Sequence, residues 1–152
     1  MSMSESAAPQ PLRGTGVILT VVALAFVVSV IHYIDNYVNY DDYPVPPADS
    51  SLPVVTDTLI AAGWFVFTAF GVVAVVSLLR RRVIPTAVGL AFYSVSGLIG
   101  IGHYTVPGST DMPWWRQAHV VADIGLGAAL LILAWLVFSW NRPRVGAVEV
   151  RG

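Results

Sequence analysis

Four long uncharged runs constrain this chain more than any motif in it. They cover residues 14–34, 58–79, 83–102 and 124–140, and the first is interrupted only by His32. The fourth extends back to about Gln117 if His119 and Asp123 are admitted. About 20 apolar residues in a helix cross a hydrocarbon core of roughly 30 Å. Inside lipid every backbone group must find its partner within the segment, so the runs are read as helices. The expected fold is an all-α integral membrane protein, a four-transmembrane-helix bundle with spans at about 16–35, 57–79, 83–103 and 117–140. Residues 1–15 are small and polar and read as a disordered tail, and residues 141–152 read as a second tail. The first run has an upstream Arg13 but no small-residue cleavage site after it, so it reads as an uncleaved span.

Composition agrees. Of 152 residues, 56% are hydrophobic and 11% charged, less than half the charge of a soluble domain. An ordinary soluble enzyme, a disordered chain and a nucleic-acid binder are excluded. There is no cysteine, so disulfides, thiolate metal sites, Fe–S clusters and a Cys nucleophile are excluded as well. The eight basic residues are all Arg, and the Lys-free, Ala/Val/Gly-rich composition suits a GC-rich bacterial genome.

Arginine placement sets the expected orientation, because Arg and Lys collect in cytoplasmic loops. With four spans, Arg13, Arg80–Arg82, Arg142, Arg144 and Arg151 fall on one side, and Arg116 alone falls on the other. The expectation is a multi-pass protein of the cell inner (plasma) membrane with both termini cytoplasmic. Loops 35–56 and 104–117 then face outward. The first carries Pro44, Pro46, Pro47 and Pro53 and reads as an ordered cap or polyproline-like stretch. Trp114, Trp115 and Trp140 suit interfacial anchors. Small residues in the third and fourth runs predict close approach of those helices, with Ser96/Gly100 and Gly125/Ala129 as the small-xxx-small pairs.

The few remaining polar groups gather at one end. Counting from the inner arginines at 1.5 Å per residue, His32, His103 and Asp123 each lie about 29–31 Å along their helices. His119 and Asp57 lie about one turn further out. His32 shares a face with Asp35 and Asn36, and His119 with Asp123. Imidazole with carboxylate suits a divalent transition metal, namely Zn, Fe, Mn or Cu. His32, His103, His119 and Asp123 are therefore candidate metal ligands. Asp35, Asp57 and Tyr33 are candidate catalytic acid–base groups. Haem held by two of the histidines is the weaker alternative. An acid as deep as Asp123 faces the bundle interior and needs a partner. The bland alternative is polar capping at the interface, with Asp57 a first-turn acid favoured by the helix dipole.

The HExxH, GxSxG and P-loop motifs are absent. The expected partners are the lipid bilayer and either a lipophilic small molecule or a larger membrane complex, with no nucleic acid. Three functions fit. One is a membrane protein with an outward His/Asp site acting on a lipophilic substrate. A second is a non-enzymatic accessory or assembly subunit. The third is a small transporter or proton relay, which the uncharged inner halves of the runs disfavour.

Overall fold

The computed structural model describes residues 10–51 and 54–141. The tails at 1–9 and 142–152, with Arg142, Arg144 and Arg151, lie outside the described residues. Among those described there are helices and no strand. The long helices are α1 (Thr15–Val38), α2 (Asp57–Leu79), α3 (Val83–Leu98) and α4 (Trp114–Trp140). A 3₁₀ helix, Ile99–Thr105, continues α3, and short 3₁₀ turns lie at Tyr40–Asp42 and Ser109–Asp111. With α3 and its continuation taken together, four helices are long and apolar enough to cross a membrane.

Each boundary has a local cause. The Thr56 hydroxyl caps α2 by accepting from the Leu59 N–H at 3.3 Å. Pro113 precedes α4, whose first turn starts at Trp114. Between α2 and α3, Arg81 takes a left-handed conformation with φ 59°. Its N–H donates to Leu78 O and the Arg82 N–H to Ser77 O, closing a Schellman turn. Glycines at 97, 100 and 102 weaken the end of α3, where the helix tightens to 3₁₀.

The helices form a ring in chain order. Helix α3 packs most extensively on α4 and then on α2, while α1 bridges α4 and α2. The ends of the bundle close at Arg13, whose N–H donates to Asn141 Oδ1 at 3.4 Å. The exterior is strongly apolar: Phe65, Trp135 and Ile84 are each more than 60% exposed. Ser29, Thr86 and Ser94 are buried instead. That inverted pattern is what a hydrocarbon-facing helix bundle needs, since lipid solvates Leu and Phe as well as a core does.

Close approach of α3 and α4 is observed, carried by Gly97 and Gly127 from the same small-residue clusters rather than by the Ser96/Gly100 and Gly125/Ala129 pairs. A Cβ at Gly97 would stand 2.2 Å from the Asp123 carbonyl oxygen, and one at Gly127 would stand 2.8 Å from the Ser94 carbonyl oxygen. Gly125 faces open space, and Gly100 meets only the side chains of Ile124 and His32. The α2–α3 contact has its own glycine: a Cβ at Gly89 would lie 2.8 Å from the Ala74 backbone nitrogen.

The apolar core sits towards the arginine end and includes Ile18, Leu78, Leu90, Tyr93, Leu130 and Val137. A smaller cluster, Tyr43, Met112 and Val120, closes the opposite end. The polar residues singled out in the sequence lie at this second end.

Candidate functional site

Three helical segments bring the histidines together. His32 comes from the last third of α1, His103 from the 3₁₀ continuation of α3 and His119 from the second turn of α4. The rings of His103 and His119 lie 5.5 and 5.4 Å from that of His32, centroid to centroid. Depth counting along the helices thus anticipates their convergence.

Asp123 finds its partner here. His32 Nδ1 donates to Asp123 Oδ2 at 2.7 Å, and each side chain is about 97–98% buried. Where the Asp123 carboxylate is ionised it only accepts, and the proton of this bond then belongs to Nδ1. The other nitrogen, Nε2, is buried without a hydrogen-bond partner. In the neutral ring that nitrogen is the lone-pair atom, a base held in place by a carboxylate. Asn36, one turn beyond His32, donates from Nδ2 to His103 Nε2 at 3.2 Å. Tyr33 packs its ring 5.5 Å from His32 and donates its hydroxyl to the Ser96 carbonyl at 3.0 Å.

A second network backs the first. Asp35 accepts from Arg116 Nε at 2.9 Å, from Asn39 Nδ2 at 2.7 Å and from the Tyr43 hydroxyl. Arg116 also reaches Asp42 with Nη2 at 3.2 Å. Its guanidinium lies over the rings of Tyr43 and Trp115, at 4.8 and 5.0 Å. Planar stacking with two-sided pairing is what arginine provides and lysine does not. Burial, and donation to the Asp35 carboxylate, push the Tyr43 phenol far above its ordinary pKa, so it remains a donor. His119 Nε2 stands 3.3 Å from Asp35 Oδ2, within ion-pair range but without hydrogen-bond alignment.

The structure therefore brings His32, His103, His119, Asp123, Asp35 and Tyr33 to one end of the bundle. Asp57 lies at the same end but joins neither network; it accepts at Oδ1 from the Thr58 N–H in the first turn of α2. As a first-turn acid it suits the positive end of the helix dipole, while Thr56 supplies the cap. Arg116, Asn36 and Tyr43 were not singled out as site residues by the sequence. Arg116 lies three residues before His119 and seven before Asp123, on one face of α4. That spacing, together with its being the one arginine at this end among the described residues, was the available signal.

The metal reading of His32, His103, His119 and Asp123 finds no support in this arrangement. Among the described residues no group of three or more His, Cys, Asp or Glu side chains could hold a metal ion. The donor types are suitable, but the carboxylates are engaged elsewhere: Asp123 is held by His32, and Asp35 by Arg116, Tyr43 and Asn39.

Beside the histidines lies a cavity of about 300 Å³, walled by Asn36, His103, Tyr33, Leu59 and Phe67 and roofed by residues 43–46 and 54–55. Comparison with family models, curated proteins and solved structures finds no match to this chain.

Proposed function

We propose that this is a multi-pass plasma-membrane protein, with both termini cytoplasmic, whose outward end is an acid–base site serving a lipophilic molecule. The observation that carries the reading is the buried His32–Asp123 pair with an unpartnered Nε2. Carboxylate–imidazole pairing fixes the tautomer and orients the ring, leaving the far nitrogen free to accept or return a proton. Asp123 is the orienting residue in this scheme and His32 the proton carrier. His103 and His119, with rings 5.5 and 5.4 Å from that of His32, are the groups to which a proton could pass. Tyr33 closes the site from α1, and Asp35 with Arg116 holds the end of α1 against α4. The buried position supports function because an intramembrane ionisable group is costly to keep otherwise.

The test reads the ring nitrogens directly. ¹⁵N NMR of histidine-labelled protein in bilayers should show His32 protonated at Nδ1 and strongly hydrogen-bonded. That signature should vanish in Asp123→Asn while the His103 signals persist. Three histidines behaving as free, solvent-exposed imidazoles would overturn the reading. So would stoichiometric metal in the purified protein that is lost in His103→Ala.

Orientation has a simple test because the chain lacks cysteine. A cysteine replacing the exposed Thr110 should react in intact cells with a membrane-impermeant maleimide. One replacing the exposed Arg80 should react only after permeabilisation. The arginine cluster at 80–82 is the basis for that expectation, and the reverse labelling pattern would refute it.

A further inference from the structure

The cavity beside His103 has a chemistry that selects its occupant. Among the described residues its walls include tyrosine, proline, valine, leucine, isoleucine, phenylalanine and glycine, but no Asp, Glu, Arg or Lys. Asp35, Asp42 and Arg116 are paired with one another in the network beside it, and Asp57, between the lining residues Val55 and Leu59, accepts from the Thr58 N–H of its own helix. A carboxylate, phosphate or ammonium brought into this space would meet no counter-charge, and burying an unpaired charge is strongly unfavourable. Polar capacity is nevertheless present in the wall: the Thr105 hydroxyl is bonded to the Gly102 carbonyl and, chiefly, Asn36 and His103 stand 3.2 Å apart. An amide carries two donors and an acceptor, more than that single bond uses. Tyr33 lines this cavity and also a second, apolar cleft between α1 and α2, beside Ile34, Ala61 and Trp64. The cavity thus adjoins the hydrocarbon-facing side of the bundle.

We propose that this cavity binds an uncharged, mostly hydrocarbon molecule bearing a hydroxyl or carbonyl group, with the oxygen seated at Asn36 and His103. This deepens the acid–base reading and rests on it only for the role of His103, which joins the cavity wall to His32. A volume of about 300 Å³ lies at the small end of ligand sites. It holds the head and first segment of a chain, and the remainder extends along the cleft past Tyr33.

Two glycines let the cavity be filled without disturbing the bundle. A Cβ at Gly102 meets nothing within 4 Å, and one at Gly63 meets only Phe67 Cε2 at 3.9 Å. Both residues line the cavity.

The experiment uses the full chain in lipid nanodiscs with three diazirine probes of equal chain length: dodecanol, dodecanoic acid and dodecylammonium. After photolysis, labelled peptides are mapped by mass spectrometry. The alcohol should label residues 33–67 and 99–106 saturably, and about tenfold or more above either charged probe, since burying a charge costs more than one decade of affinity. Gly102→Leu and Gly63→Leu should each lower the alcohol labelling by about tenfold, a decade in binding constant, with the melting temperature retained. Equal or stronger labelling by the acid or the amine would overturn the proposal. So would unsaturable labelling spread over the lipid-facing helices, or labelling that survives in both leucine variants. Cavity labelling and the His32 ring-nitrogen signature are separate readouts. Loss of the first alone rejects the ligand site, and loss of the second alone rejects the acid–base role.

Discussion

Replacing Arg116 with methionine is expected to destabilise the protein by about 3–5 kcal/mol, the range seen when one member of a buried ion pair is removed. The guanidinium is 5% exposed and its partner Asp35 is 11% exposed, so water does not screen the loss. Asp42, 65% exposed, adds little to that figure. Most of the cost comes from the carboxylate left behind. The double variant Arg116→Met with Asp35→Asn should therefore recover much of the stability. Arg116→Lys should recover only part, because an ammonium cannot pair with Asp35 and Asp42 while stacking on Tyr43 and Trp115. Thermal unfolding in detergent measures all three. An unchanged melting temperature in Arg116→Met would show that the network is dispensable.

The second large effect is expected at Gly97. An alanine there places Cβ 2.2 Å from the carbonyl oxygen of Asp123. The obstacle is backbone, which cannot rotate aside as a side chain can. Helices α3 and α4 must separate, and overpacking of this kind costs about 1–3 kcal/mol and sometimes more. Because the residue pushed is Asp123 itself, the His32–Asp123 bond should lengthen too. Gly97→Ala should thus lower the melting temperature and weaken the Nδ1 signature of His32 together. Gly125→Ala, whose Cβ meets nothing within 4 Å, is the control and should leave both unchanged. A Gly97→Ala protein as stable as the parent would refute the tight crossing.

Those two residues also show how far the sequence could be read. Helix positions were legible because a run of twenty uncharged residues has few alternatives. Convergence of His32, His103 and Asp123 was legible because depth along a helix is simple counting. Facing was harder to read. Residues 96–102 offer Ser96, Gly97, Gly100 and Gly102, and a small-xxx-small pattern does not say which of them meets the partner. Rotation of α3 against α4 decides that, and it selects Gly97 over Gly100. Arg116 was read only as a marker of sidedness. Its partners lie 81 and 74 residues away, and no local spacing rule reaches that far. The metal reading gains no support for a related reason: donor types are visible in a sequence, but prior commitments of the carboxylates to His32, Arg116, Tyr43 and Asn39 are not. Asp57 shares a level with the histidines but serves its own helix end.

The 3₁₀ segment after α3 sets the length of a strut. Over its seven residues, Ile99–Thr105, the chain rises about 0.5 Å per residue more than an α-helix would. His103 is the fifth of them, so relaxation of this stretch to α geometry would retract its imidazole by about 2–2.5 Å and swing it around the axis. A movement of that size is comparable to the difference between touching Asn36 and His32 and losing them. The reach of His103 is thus set by the winding of one short turn.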